Sequence, residues 1–228
     1  DKSRFILYNI INTLLKNDKV VATFFAEESG LFKKELTGLA GGKYTFGIFA
    51  EDTEGRKSVT LSFTITILSG ATTNISGIFI PPTISLFPVE VEKGDKIDIL
   101  GHVFPKSQVN VFISPEEIVK ETIANSQGKW AFKLDTSFFK KGEHEVRAKA
   151  SFGEGEQSEF SQTLSFLVLT PKCRGADLNF DGRVNITDFS ILLYFWHSTS
   201  PENICADINR DRIVNLVDFS IMMYQWTG

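Results

Sequence analysis

The sequence predicts a mainly β chain that ends in a small helical module: two tandem β-sandwiches, the first lacking its opening strand, followed by two short helices. Three observations lead to this prediction. Segments in which apolar and polar residues alternate, which is typical of strands, run through residues 1–170. Similar segments recur about 100 residues further along the chain. After residue 173, two acidic loops each lead into an apolar segment without alternation.

The predicted strands are separated by Gly, Asn, Asp and Ser, which favour turns. Short strands at frequent intervals are typical of β-sandwiches. Alternation is clearest in residues 43–49, 59–67, 96–100, 129–134 and 143–148.

An internal repeat divides the β region into two copies. Residues 28–32 match 126–130 at an offset of 98, and residues 54–58 match 154–158 at an offset of 100. The tripeptide Leu-Ser-Phe at 61–63 recurs at 164–166. Two copies of one sandwich are therefore expected.

The turn and hairpin patterns of these copies resemble bacterial immunoglobulin-like domains, which occur in surface and secreted proteins. The resemblance implies two tandem immunoglobulin-like β-sandwiches, at residues 1–70 and 83–170, with a linker at 71–82. The linker ends in the apolar segment Ile78-Phe79-Ile80-Pro81-Pro82. We interpret this segment as a strand end plus a domain boundary; the alternative is a strand that fills a neighbouring molecule's groove.

The first copy is predicted to lack its opening strand. Counting back 98 residues from the second copy places Asp1 opposite Ile99, after the point where the second copy has already begun. A sandwich without an edge strand has unpaired backbone groups and an open apolar groove. Upstream residues of a longer chain are one source of the missing strand. Another molecule, in the strand-addition mode of fibre assembly, is the other.

The two acidic loops, at 177–188 and 207–218, carry oxygen-bearing side chains at loop positions 1, 3, 5, 9 and 12. Ca²⁺ binds six to eight oxygens, and this EF-hand-like spacing wraps them around one point. The loops therefore predict two calcium sites. The predicted side-chain ligands are Asp177, Asn179, Asp181 and Asp188, and Asp207, Asn209, Asp211 and Asp218. The backbone carbonyls of Arg183 and Ile213 complete the sites, with Asn185 and Asn215 binding directly or through water.

The alternative, acidic turns that bind nothing, is disfavoured because the pattern occurs twice, 30 residues apart. Carboxylates crowded in each loop repel one another without a cation, so we expect this segment to need calcium to fold. Gly182 permits a sharp turn in the first loop, and Arg212, at the matching position, is expected to strain the second. Val184 and Val214 are predicted to pair across the loops.

Both cysteines of the chain, Cys173 and Cys205, lie just before an acidic loop. This placement favours a disulfide between them and an extracellular setting; two unpaired buried thiols are the alternative. No nearby His or further Cys completes a four-ligand set, which argues against zinc.

The tandem of Asp-x-Asn-x-Asp-x-x-Val-Asn-x-x-Asp loops, each followed by an apolar helix, resembles a type I dockerin over residues 173–228. Dockerins bind cohesin domains and attach proteins to extracellular scaffolds. The resemblance therefore implies two Ca²⁺ ions and a cohesin-like protein partner.

Other classes of function find less support. Lys and Arg are scattered in a chain of net charge −4, which argues against nucleic acid, and no segment approaches the ~20 apolar residues of a membrane span. No catalytic motif appears, and His102, His144 and His197 are isolated, so we expect no enzyme. The chain starts at Asp1 without a leader, because a leader was removed or because the sequence starts inside a longer protein.

We therefore expect an extracellular or cell-surface structural protein, a subunit of a scaffold or of a head-to-tail fibre of identical subunits. The alternatives are a dockerin-type attachment module with sandwich spacers, and the tail of an upstream enzyme.

Overall fold

The computed structural model describes residues 10–153, 155–170 and 173–228. These residues confirm a mainly β chain with a small helical region at its C-terminal end. The chain forms two compact units. One comprises Lys96–Asp135, Gly142–Val168 and the residues up to Val91, and the other comprises Glu92–Asp95, Thr136–Lys141 and Leu169–Gly228. No helix in the described part of the chain is long and apolar enough to cross a membrane.

The first copy of the repeat forms one antiparallel sheet with the strand order β2-β1-β3-β4. Its strands are β1 (Ile11–Lys16), β2 (Lys19–Phe25), β3 (Gly42–Glu51) and β4 (Leu61–Ile67). The hairpin between β1 and β2 turns at Asn17 and Asp18, both of which have positive φ. Asn and Asp tolerate this conformation better than other side chains, which explains the tight turn here.

The second copy is a two-sheet sandwich with the strand orders β10-β7-β5 and β6-β13-β11-β8-β9, and β12 pairs with β11. Its strands are β5 (Ser85–Phe87), β6 (Glu90–Glu92), β7 (Lys96–His102), β8 (Gln108–Ser114), β9 (Ile118–Ile123), β10 (Lys129–Asp135), β11 (Gly142–Phe152), β12 (Glu156–Gln157) and β13 (Leu164–Leu169). Alternate residues of these strands are buried between the sheets, among them Ile99, Val111, Val146 and Phe166. This is the immunoglobulin-like arrangement that the sequence predicts.

The sheet of the first copy corresponds to the β9-β8-β11-β13 part of the second copy. Asn12 lies opposite Ala50 in the first copy, as Val109 lies opposite Ala150 in the second. The Leu-Ser-Phe match is not structurally equivalent, however, because the ladders place Phe63 opposite Phe46 and Leu164 opposite Val146. The match is shifted by two residues, which an alternating pattern permits because it repeats every two residues.

Within the described residues, the first copy has no counterpart of β10. The opening-strand prediction concerns the start of the chain, where residues 1–9 lie outside the described residues. Residues 31–37, which align with β10, form no strand although the preceding turn is kept: Gly30 and Gly128 both have positive φ. The ladder partner of β10 is β7, and the described residues of the first copy contain no equivalent of β7. Within the described residues, the backbone groups of 31–37 therefore pair with no strand.

The apolar face of the first sheet is consequently less buried than the core of the second copy. Ile65 and Ile67 are only partly buried, whereas Phe166 and Val168, at the equivalent positions, are fully buried. The predicted boundaries at residues 70, 83, 170 and 173 fall between β4 and β5 and after β13. They stay predictions.

We expect Ile65→Ala to destabilise the first unit by about 1 kcal/mol and Ile113→Ala, which removes a fully buried side chain, by about 3 kcal/mol. Chemical denaturation of both variants measures the two losses. An equal loss at the two positions would show that something covers the face of the first sheet.

Candidate metal centre

Each acidic loop ends in a helix whose first turn contains the last loop residues. The helices are α1 (Ile186–Tyr194) and α2 (Leu216–Tyr224). Asn185 caps α1 by accepting the Thr187 N–H at 2.8 Å, and Asn215 caps α2 in the same way. Each of these side-chain oxygens keeps a second lone pair, so loop position 9 can bind a cation directly or through water.

The last loop residue, Asp188, is fully buried and closes the loop onto its helix. Its Oδ1 accepts the N–H groups of Leu178 at 2.7 Å and Asn179 at 3.1 Å, and its Oδ2 accepts the Asn185 N–H at 2.9 Å. A carboxylate has about four lone-pair positions, so these bonds leave room for a cation.

The second loop repeats this closure. Asp218 is also fully buried, and it accepts the N–H groups of Asn209 at 3.1 Å and Asn215 at 2.8 Å. The negative charge lies at the N-terminal end of each helix, where the helix dipole favours it.

The other predicted ligands of the first loop are brought together by backbone amides. The Asp181 N–H lies 3.2 Å from Asp177 Oδ1 and 3.1 Å from Asn179 Oδ1, and Asp177 Oδ2 accepts the Gly182 N–H at 2.9 Å. Asp181 Oδ1 accepts the Arg183 N–H at 2.8 Å. The side chains at positions 1, 3 and 5 therefore fold back over their own loop.

The second loop has the same bonds at the same positions. Asp211 N–H lies 3.0 Å from both Asp207 Oδ1 and Asn209 Oδ1, Asp207 Oδ2 accepts the Arg212 N–H, and Asp211 Oδ1 accepts the Ile213 N–H. The Ile213 carbonyl, a predicted ligand, accepts the Asn215 amide at 3.2 Å. Two loops of different sequence thus place their oxygens alike.

The donor set fits a hard divalent cation such as calcium. All the side-chain donors are carboxylate or amide oxygens, which Ca²⁺ prefers. Hydrogen bonds from the Asn179 side chain and then from the Arg183 N–H hold the pKa of Asp181 below its ordinary value, so this exposed carboxylate is charged at neutral pH. The residues present can therefore hold calcium.

Arg212 has a positive φ of 73°, at the loop position where Gly182 has 87°. Gly adopts this conformation freely, whereas a residue with a Cβ pays for it. The strain expected from the sequence is therefore present in the second loop.

In each half of the module, a residue beyond the helix hydrogen-bonds to the valine of the other half. The Thr227 N–H, beyond α2, donates to the Val184 carbonyl at 2.9 Å, and the His197 N–H, beyond α1, donates to the Val214 carbonyl at 2.8 Å. Both valine side chains lie in one buried core cluster of the module, and the apolar bridge expected between them stays a prediction. The backbone groups of each valine bond to residues beyond the opposite helix.

A disulfide between Cys173 and Cys205 joins the residues that precede the two loops, which confirms the prediction. With a sequence separation of 32, it stabilises the module by about 3–4 kcal/mol in the chain-entropy model. Phe189 and Phe219, which follow the buried aspartates, pack with ring centroids 5.2 Å apart. The core includes Ala176, Leu178, Val184, Leu192, Cys205, Ala206, Val214 and Met222.

Each helix buries one side and exposes another. Ile186 and Tyr194 on α1 are 64% and 82% exposed, and Leu216 and Tyr224 on α2 are 65% and 92% exposed. We call the exposed side of α1 around Ile186 and Tyr194, and the exposed side of α2 around Leu216 and Tyr224, the helix faces. They are far more apolar than a typical solvated helix surface.

A second cluster of possible cation ligands, which sequence reasoning missed, lies in the first of the two compact units. We call this unit, which contains Lys96–Asp135, Gly142–Val168 and the residues up to Val91, the β unit. Ligand atoms of Asp52, Glu54 and His102 all lie within 4.8 Å of one another. Arg56 already supplies a positive charge there: its Nε lies 2.6 Å from Asp52 Oδ2, and its Nη2 lies 2.6 Å from Glu54 Oε2 and 3.1 Å from His102 Nδ1. The group is an ion-pair network and not a metal site.

This network fastens the first copy to the second. Thr83 donates its hydroxyl to Asp52 Oδ2 at 2.8 Å and accepts the His102 N–H at 2.8 Å. Asp52 and Arg56 stand where the second copy has Phe152 and Glu156. This difference between the two copies was the sequence signal that could have revealed the ion-pair network.

Comparison with known families matches residues 175–225 to the model described as the Dockerin type I domain. Comparison with curated proteins gives no match.

Among solved structures, a calcium-stabilised adhesin that helps an Antarctic bacterium to bind ice is 14% identical, over 73% of this chain and 42% of that one, with a TM-score of 0.30. Fibronectin(III)-like modules of Clostridium thermocellum CbhA are 14% identical, over 70% and 78%, with a TM-score of 0.29. The D00–D0 domain of intimin is 14% identical, over 69% and 78%, with a TM-score of 0.32.

The chain spans 42%, 25% and 55% of the length of the first three matched structures. Identities and TM-scores this low add nothing to the fold seen in the strands. What the comparisons show is similarity to the dockerin type I domain over residues 175–225.

We expect Arg212→Gly to strengthen calcium binding at the second loop about tenfold, because it removes backbone strain and a positive charge beside the ligands. The reciprocal Gly182→Arg should weaken binding at the first loop. Calorimetric calcium titration measures both. Equal affinities in Arg212→Gly and the unaltered protein would contradict the assignment of strain to Arg212.

Asp52 gives the β unit a pH dependence. Burial opposes its ionisation, but hydrogen bonds from His102, Arg56 and Thr83 outweigh burial and lower the pKa of Asp52 far below its ordinary value. The folded state thus binds this proton less readily than the unfolded state does. The stabilisation is present above about pH 4 and is lost as the pH falls further.

We expect Asp52→Asn to destabilise the β unit by about 3 kcal/mol at pH 7 and by about 1 kcal/mol less at pH 3, where the carboxyl is largely protonated in the unfolded state but still ionised in the folded state. Asp98→Asn, which removes an exposed pair with Lys133, is the control and should cost about 0.5 kcal/mol or less. Denaturation at both pH values measures the differences. A loss that is the same at pH 3 and pH 7 would exclude ionised Asp52 as the cause.

Proposed function

We propose that this chain is an extracellular attachment protein whose C-terminal module, folded around two calcium ions, docks onto a cohesin-like domain of another protein. The β copies act as a non-catalytic spacer. The observation that carries the proposal is the pair of apolar helix faces on a duplicated calcium-loop scaffold.

Calcium supplies positive charge that offsets the carboxylates converging on each loop. Asp177, Asp181 and Asp188 would hold one ion, and Asp207, Asp211 and Asp218 the other, each set completed by its Asn side chains. Each loop is closed directly onto the first turn of its helix by a buried aspartate. Loading of the loops therefore fixes the helices that carry the docking residues.

The helix faces have the composition of a protein-binding surface. Tyr194 and Tyr224 are almost fully exposed, beside the apolar side chains of Leu193 and Met223. Exposed aromatic residues next to aliphatic ones are typical of the residues that dominate binding energy in interfaces. Because the faces lie at equivalent positions of the two halves, either one offers a similar surface to a partner.

The extracellular location is supported by the Cys173–Cys205 disulfide, since such bonds persist in oxidising compartments. Calcium is also abundant enough outside cells to fill sites of modest affinity.

A second candidate function is assembly into head-to-tail fibres of identical subunits. It is favoured by the partly buried apolar face of the first sheet, where Ile65 and Ile67 are exposed in part. A strand from a neighbouring subunit would cover this face and pair with a free sheet edge.

To test docking, we would measure binding of the full chain to a panel of type I cohesin domains by calorimetry in millimolar calcium. We expect Tyr194→Ala and Tyr224→Ala to weaken binding less than about tenfold each, because the other face remains, and the double variant to lose about a hundredfold or more. Phe87→Ala, which alters an exposed aromatic in the β unit, is the control.

Undiminished cohesin binding by the double variant would contradict the docking proposal. So would cohesin binding by the unaltered protein that is no stronger in calcium than in chelator. Sedimentation of the same samples addresses assembly. Calcium-dependent polymers without cohesin binding would favour the fibre instead.

A further inference from the structure

A cavity of about 90 Å³ lies within the β unit, between the end of the first sheet and the second copy. Its walls include the rings of Phe32, Phe79 and Phe104, with Ile80 and Pro81 from the apolar segment between the copies. That segment forms no strand in the described residues. It therefore lines a cavity rather than extending a sheet.

The wall between the copies is closely packed. Gly30, in the turn kept from the repeat, lies so near the second copy that a Cβ there would be 2.5 Å from Pro105 Cδ and 2.8 Å from a Phe104 ring carbon. The two copies are therefore in close contact on the side of the cavity where Gly30 meets Phe104 and Pro105.

One polar side chain in the cavity wall lacks a partner. Asn12 is only 1% exposed, and its amide nitrogen has no hydrogen-bond acceptor in the described structure. Leaving a buried donor unpaired is unfavourable, so native structures rarely do so without a reason.

The residue at the equivalent position of the second copy is apolar. Val109, the structural equivalent of Asn12, is fully buried in the core of the second sandwich. An apolar residue therefore fits this place on the inner face of the sheet. Asn12 lacks the stabilisation that a buried apolar side chain would give here, and its side-chain N–H donor is unpaired.

The other buried polar side chains of the wall are already engaged. Thr83 and His102 bond to one another and to Asp52. The Asn12 amide is therefore the group available to a ligand among the buried polar side chains that line the cavity.

We propose that this cavity binds a small neutral molecule with an apolar body and one oxygen that accepts a hydrogen bond from the Asn12 amide. The aromatic walls match the apolar body. Glu27 and Glu28, exposed carboxylates in the lining, oppose an anion. An apolar cavity of about 150 Å³ holds benzene, so a site of about 90 Å³ encloses about four non-hydrogen atoms, with the rest of the molecule towards the exposed Glu27 and Glu28.

The test uses cyclopentanone, which has a compact apolar ring and a carbonyl oxygen. Titration of the isotope-labelled full chain, followed by NMR, should shift the Asn12 side-chain amide and the backbone amides around the cavity. Methylcyclopentane, of similar size but without an acceptor, should shift them less at equal concentration.

Asn12→Val should weaken cyclopentanone binding about tenfold, because the donor is lost. It should also raise the melting temperature, because a residue that fits the second copy replaces an unpaired polar group. Asn110→Val is the matched control: Asn110 also has an unpaired amide atom but lies outside the cavity, so this change should leave binding unaltered.

No shift of the cavity residues with cyclopentanone would overturn the proposal and assign the space to water. A lowered melting temperature in Asn12→Val would also overturn it, since the amide would then have a structural partner. Equal binding by Asn12→Val and the unaltered protein would have the same consequence.

Discussion

The closure of each acidic loop by one buried aspartate is the constraint on which the C-terminal module depends. Asp188 and Asp218 have no exposed surface, yet each is an anion at the start of a helix. The backbone amides that they accept join the beginning of the loop to the beginning of the helix. Burying such a charge is costly unless it is fully satisfied, and a cation among the other loop oxygens would complete that satisfaction. The proposed calcium sites and the orientation of the helix faces would therefore have one physical origin.

The β unit solves a different problem. The first copy has one sheet in the described residues and cannot build a two-sheet core by itself. The segment between β3 and β4 instead contacts the second copy through Asp52 and Arg56. The turn at Gly30, which both copies share, packs on Phe104 and Pro105. An ion-pair network and a close-packed turn thus take over part of the stabilisation that a second sheet would supply. The same junction encloses the cavity lined by Asn12.

Local patterns were readable from the sequence, and long-range partners were not. The predicted calcium loops follow from oxygen positions at fixed spacing, and the disulfide from cysteines placed before each loop; the structure confirms the disulfide. The absence of a strand at residues 31–37 could not be predicted from the repeat, because strand formation depends on a ladder partner distant in sequence. The bonds of Val184 to Thr227 likewise depend on how two halves fold together. Asn12 shows no local signal, and its meaning appears only when the register places it opposite the position of Val109.

Calcium content per folded chain, measured with the melting temperature of the C-terminal module, tests the calcium-dependent closure most directly. We expect two ions per chain after equilibration in millimolar calcium, and a markedly lower melting temperature of the module after chelation. Empty loops under those conditions, with a melting temperature that chelation leaves unchanged, would contradict the view that cations complete the loops around Asp188 and Asp218.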